Sequence, residues 1–152
     1  MAIDDDIAFL ERVPTLGPLG RQALRILAIG AVTRQVDRGE VLFSAGDEAD
    51  GGLVIREGSF RLSKSEEGKD ITVGPGTLLG EVALFAETRR RTSAEALEPS
   101  SVLSISRPLF IRMLDSFPDA ARALRETLAS RVDDATREIV KVRAFLDAYA
   151  SK

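Results

Sequence analysis

The chain has 152 residues, of which 44% are hydrophobic and 30% charged, with a formal net charge of −3. That length supports one domain with a single sizeable core, and no apolar run approaches the ~20 residues a membrane span requires. Cysteine and histidine are both absent, which removes disulfides, thiolate metal sites, cysteine nucleophiles and the commonest general base and metal ligand.

The slight acidic excess argues against a surface built mainly to hold a nucleic-acid backbone. The opening stretch "MAIDDDIAFL" carries no basic flank ahead of an apolar core, so it does not read as a secretion signal. A cytoplasmic location is the default expectation.

In chain order, residues 7–31 read as helical. Leu10, Leu24, Leu27 and Ala28 are the expected inward positions, and "PTLGPLG" divides the segment into a short helix, a turn and a longer helix. Residues 32–106 read as short strands. "VTRQV", "LVIRE", "FRLSK" and "DITV" alternate apolar with polar, and Gly39, Gly46, Gly58 and Gly68 fall between or beside them. Such spacing predicts a β-sandwich or barrel rather than a parallel sheet. Gly46-Asp47 and Glu57-Gly58 fit tight hairpin ends.

Residues 107–150 read as helical again. "RPLFIRMLDSF" is amphipathic and stops before Pro118, and Pro118-Asp119 suit the first turn of a long helix. From Val132 its apolar residues (Ala135, Ile139, Val142, Leu146, Tyr149) alternate in threes and fours, a heptad seam. The expectation is that the front half of this helix packs on its own barrel and the rear half pairs with a second copy as a homodimer. No internal repeat or linker divides the chain, so residues 1–152 form one domain.

The stretch "GPGTLLGEVALFAETRRRTSAEAL", Gly74 to Leu97, combines glycines, one acid and three successive arginines. Gly80 permits close approach of a backbone or ligand, and the residues after it fit one helical turn whose free N–H groups suit an anion. Taken alone, Glu81 there is explained first by the helix dipole and only second by a ligand contact, and Arg89–Arg91 first by a solvated loop and only second by an anion pocket. Together the acid and the arginines suit a ligand bearing one anionic group and one hydroxyl, each charge-assisted bond contributing roughly 1.5–3 kcal/mol where buried.

The pattern G-E-x-A-L-x(5)-R from Gly80 to Arg90, followed by the small residues Thr92, Ser93, Ala94 and Ala96, resembles the phosphate-binding cassette of cyclic nucleotide-binding domains. These occur in the catabolite-activator regulators, in regulatory subunits of protein kinase A and in cyclic nucleotide-gated channels. "RGEVLFSAGDEADGGLVIREGSFRL" is similar to the family's paired strands, "VGPGTLLGE" to the approach to the cassette, "FLERVPTLGPLGRQALRILA" to its N-terminal helical segment and "SVLSISRPLFIRML" to its last strand and following helix. The resemblance covers roughly residues 8 to 135. It implies an antiparallel β-roll or jelly roll with flanking helices, the cassette spanning 79–94.

It also implies roles. Glu81 would accept from the ribose 2′-hydroxyl and Arg90 would neutralise the cyclic phosphate. Gly80 would open the cassette, and Val82 and Ala83 would offer N–H groups. Leu79, Val73 and Ala94 would line the apolar walls. Two positions depart from the pattern: Arg89 stands where many members carry proline, and Arg91 where alanine, serine or threonine is usual. Arg91 and Thr92 are counted with the site. On the long helix the base-contacting positions fall at Ala135 and Thr136, with Arg131 one turn earlier, and Thr136 keeps a hydroxyl. Cyclic AMP is the expected ligand, cyclic GMP the second choice, and no metal is expected.

The implied function is a bacterial regulatory sensor whose long helix folds over bound nucleotide and passes the signal to a downstream protein that the sequence does not name. The alternative is an interaction module that keeps the fold and dimerises without nucleotide. Only a few residues follow Tyr149, so a stand-alone domain without a DNA-reading helix-turn-helix is expected. Catalysis is not expected, because the resemblance supplies a phosphate holder without a base or metal set.

Overall fold

The structure is a computed structural model and describes residues 3–63 and 70–129. Arg131, Ala135, Thr136 and the heptad seam from Val132, with the dimer contact expected there, lie outside the described residues.

Helix α1 runs Ile3–Glu11, four residues earlier than the apolar spacing indicates, with Asp4, Asp5 and Asp6 in its first turn. Negative charge is favoured at that end by the helix dipole, and Asp6 is itself buried and ion-paired at 2.5 Å with Arg56. A 3-10 turn at Gly17–Leu19 leads into α2, Arg21–Gly30, which buries Ala23, Leu24, Leu27 and Ala28 at the three-and-four spacing of one helix face.

Ten strands follow among the described residues: β1 (Val32–Val36), β2 (Val41–Phe43), β3 (Glu48–Ala49), β4 (Gly51–Glu57), β5 (Phe60–Ser63), β6 (Asp70–Val73), β7 (Leu78–Leu79), β8 (Thr88–Arg89), β9 (Ser93–Ala96) and β10 (Ser100–Ser106). They form one sheet ordered β1-β10-β4-β7, a second ordered β2-β9-β5-β6 and the small pair β3-β8. Every pairing among the described residues is antiparallel, so the architecture is an antiparallel roll with flanking helices, as the resemblance implies.

The two glycine turns read as hairpin ends are corners instead. Gly46-Asp47 joins β2 to β3 and Glu57-Gly58 joins β4 to β5, and in each case the two strands belong to different sheets. At Gly58 the backbone has φ of +91°, and a Cβ would meet Ser100 Oγ at 2.0 Å. The chain therefore turns where only glycine fits. Strand β1 also differs from its pattern, since among its residues only Val36 is buried while Val32 is 64% exposed. Among the described residues it is the outer strand of its sheet, paired with β10 alone.

The core divides in two. Leu53, Ile55, Phe60, Leu79, Ala94, Ala96 and Val102 fill the inside of the roll. Val54, Leu103 and Ile105 face the other way, onto a cluster with Leu10, Leu16, Leu24, Leu27 and Phe110 from the helical segments. Helix α3, Arg107–Ser116, is capped by Ser106, whose Oγ accepts from Leu109 N–H at 3.3 Å. Helix α4, Pro118–Ala129, begins at the expected proline. It packs on α3 and on the 3-10 turn after α1, through Ala120, Ala121 and Leu124. The front of the long helix thus rests on other helices rather than on the inside of the roll.

Candidate functional site

The site is built where β7 ends. Leu78 and Leu79 pair with Val54 and Leu53 of β4, and the chain then turns through Gly80 at φ 77° and ψ 40° into a 3-10 turn, Glu81–Leu84. The underside of that turn is fixed. Ala83 and Leu84 are buried, and Phe85 meets Phe110 edge-on at 5.2 Å. Arg107 Nε donates to the Ala83 carbonyl at 2.9 Å while its Nη2 donates to the Ala49 carbonyl at 2.6 Å. Within the turn, Ala83 N–H donates to the Gly80 carbonyl at 3.0 Å.

The three arginines take separate positions. Arg89 extends β8 at the surface, donates to the Gly46 carbonyl at 2.9 Å and lies 3.8 Å from Glu48. Its exposure makes it the solvated member of the run. Arg90 is tied by its backbone to the 46–47 corner, with Arg90 N–H donating to Asp47 O and Gly46 N–H donating to Arg90 O, both at 2.8 Å. Its side chain turns inward. Nη2 donates to the Gly51 carbonyl at 3.1 Å, and the guanidinium carbon lies 4.6 Å from the centre of the Phe43 ring. Nη1 is buried, with no hydrogen-bond partner, against Gly80, where a Cβ would approach it to 2.1 Å. Burial lowers the Arg90 pKa from its ordinary value, and Asp50 and Asp47 pull it back up. The group stays cationic all the same. Arg91 is exposed at the rim.

Between the 3-10 turn and these arginines lies a cleft of about 340 Å³. Leu79, Gly80, Glu81, Val82 and Ala83 border one side, Arg90, Arg91 and Thr92 the other, with Phe43, Leu62 and Leu78 as apolar lining. All eight of the expected site residues that are described therefore border one cavity. Val73 and Ala94, expected as walls, do not: Ala94 is fully buried in the roll core and Val73 packs against that core. The register explains the exchange, since Phe43 and Leu62 both pair with Ala94. The larger side chains reach the cleft while the small one between them stays beneath.

Glu81 has a partner that its sequence neighbourhood does not reveal. The hydroxyl of Thr15, 66 residues earlier, donates to Glu81 Oε2. Thr15 is 4% exposed. Among the described residues no group of three or more His, Cys, Asp or Glu side chains gathers as a metal site would need, and no helix is long and apolar enough to cross a membrane. The cleft can thus offer a buried cation, a partly exposed carboxylate and an apolar floor.

Residues 33–117 match the family model described as the cyclic nucleotide-binding domain. A solved structure of a cyclic nucleotide-binding-like protein from Brucella abortus is 40% identical, with a TM-score of 0.65, covering 74% of this chain and 99% of that one. The cyclic AMP receptor protein of Thermus thermophilus is 29% identical over 110 residues, 70% of this chain. Lysophospholipase NTE1 of Phaeosphaeria nodorum is 29% identical over 118 residues, 72% of this chain. The chain spans 51% of that receptor and 8% of that lysophospholipase.

Proposed function

Because the chain belongs to the cyclic nucleotide-binding domain family, whose role is regulatory ligand binding rather than catalysis, we propose that its cleft takes cyclic AMP and that its C-terminal helical segment carries the resulting signal. The observation that carries this reading is Arg90 Nη1, a buried cationic N–H group with no hydrogen-bond partner at the edge of an apolar cleft. Leaving such a group unsatisfied is costly, and a singly charged cyclic phosphate supplies the missing acceptor and the opposite charge. The cleft volume, about 340 Å³, falls within the ~300–1,000 Å³ range of small-molecule sites.

In this reading Glu81 accepts from the ribose 2′-hydroxyl, and Arg90 pairs with the phosphate while Arg91 and Thr92 flank it. Since Ala83 N–H is engaged by Gly80, the turn's contribution to the phosphate comes from Val82 before Ala83. Leu79 packs against the sugar and Gly80 leaves space for Arg90. The resemblance assigns base contacts to Arg131 and Thr136, outside the described residues, and cyclic GMP ranks second because in the resembled family a threonine directly after the phosphate arginine favours guanine, and Arg91 stands there. The signal consists of the C-terminal segment closing over the base, which then alters contacts with a second copy of the chain or with a downstream protein. A tenfold shift between states needs a difference in ligand affinity of only about 1.4 kcal/mol.

The test is calorimetric titration with cyclic AMP and cyclic GMP of the wild type, Glu81→Ala and Arg90→Ala. The expected outcome is saturable binding, tighter for cyclic AMP, weakened roughly 10- to 150-fold by either substitution. One observation favours the nucleotide-independent interaction module instead. Glu81 already takes the Thr15 hydroxyl and Arg90 Nη2 already bonds the Gly51 carbonyl, so both charged side chains have protein partners of their own. No heat with either nucleotide, in folded protein freed of carried-over ligand, would turn the assignment to that module.

A further inference from the structure

We propose that Thr15, on the turn after α1, is a positioning residue for the sugar-recognising carboxylate, so that the N-terminal helical segment sets the selectivity of the cleft for a ribose 2′-hydroxyl. This rests on the cyclic nucleotide reading of the cleft.

The first ground is the bond itself. Glu81 borders the cleft on one side and accepts the Thr15 hydroxyl through Oε2 on the other. A carboxylate has about four acceptor sites, so the bond from Thr15 can be made together with one from a ligand hydroxyl, and it fixes how the carboxylate group is turned. An unrestrained glutamate loses side-chain freedom when it is immobilised, and an acceptor already held in place avoids much of that loss on binding.

The second ground is how firmly Thr15 is held. Its neighbours Val13 and Leu16 are buried in the helical core. Leu16 N–H and Gly17 N–H both donate to the Val13 carbonyl, at 2.9 and 2.8 Å, and Val13 N–H donates to Leu10 at 3.1 Å. A Cβ on Gly17 would meet the Glu11 carbonyl at 2.6 Å, so this turn closes only with glycine there. Helix α4 packs on the same segment through Ala120, Ala121 and Leu124. Thr15 thus projects from an immobile platform, whereas Glu81 stands on a 3-10 turn of four residues. The hydroxyl is the fixed partner and the carboxylate the positioned one.

The test compares cyclic AMP with 2′-deoxy cyclic AMP by calorimetry on the full chain, using the wild type, Thr15→Val and Thr15→Ser. The wild type is expected to prefer cyclic AMP about tenfold or more. Thr15→Val keeps the volume and loses the donor. It should reduce that preference to about threefold or less while binding the deoxy analogue as the wild type does. Thr15→Ser keeps the donor and should restore the preference. A Thr15→Val protein with the wild-type preference overturns the proposal, even if both affinities fall together, because general loosening of the turn does not distinguish the two ligands. If circular dichroism shows Thr15→Val unfolded, Thr15→Ala against Thr15→Ser reads the same ratio. A wild type that binds both ligands equally overturns the role of Thr15 and leaves nucleotide binding standing. A wild type that binds neither overturns both.

Discussion

Gly80 meets two constraints at once. Its φ of 77° lies in the left-handed region, and a methyl group there would sit 2.1 Å from Arg90 Nη1. Gly80→Ala should therefore cost about 1–2 kcal/mol of backbone strain and displace the guanidinium from its place between Phe43 and Gly51. The expected outcome is a lower melting temperature together with at least a tenfold loss of cyclic AMP affinity, checked by calorimetry. A variant that lost stability alone would mean that Arg90 finds its position without Gly80. Gly80, Glu81 and Arg90 were legible in the sequence because they lie within eleven residues of one another, close enough for a local pattern to hold them all. Thr15 and Phe43 were not. Their contacts to Glu81 and Arg90 cross 66 and 47 residues (81 − 15 and 90 − 43), and nothing local to a threonine in a proline-glycine turn distinguishes a buried donor from ordinary turn chemistry.

Secondary elements were readable where one face is plainly apolar, as in α2 and α3, and less so where a tertiary partner decides. Helix α1 reaches back to Ile3 because three acids sit at its positive end and one of them, Asp6, finds Arg56 on β4. A run of acids looks like solvated chain until that partner is known. The pair is largely buried, with side chains 7% and 21% exposed, so removing one member leaves a charge without compensation. Arg56→Ala should destabilise the protein by about 3 kcal/mol, measured by urea denaturation. A change under about 1 kcal/mol would mean that water reaches Asp6. The corners at Gly46 and Gly58 show the same limit, because glycine signals that the chain reverses but not whether the next strand returns to its own sheet. The exposure of β1 likewise escaped its alternating pattern, since alternation alone does not say whether anything covers the apolar face.

At the scale of the whole molecule, the resemblance to one family supplied the order of strands and helices, which composition and periodicity left as sandwich or barrel. The arrangement it implied is present, and the cleft lies where the cassette was expected. What no pattern along the chain conveyed is how the two cores are joined. Along β4, Leu53 and Ile55 point into the roll while Val54 points to the helices, and on β10 Val102 and Leu103 divide in the same way. One pair of strands serves both cores on alternate residues. Separating the helices from the roll would strip one face of β4 and β10, and melting the roll would remove the surface on which the helices rest. Neither half has a stable state of its own, so the protein should open as one cooperative unit. Native-state amide exchange should accordingly give the same opening free energy, within about 1 kcal/mol, for α2 and for β5. A gap of several kcal/mol would mean that the halves open separately. A shared opening also confers a thermodynamic coupling that needs no moving lid: whatever binds in the cleft raises the protection of helices that never touch it.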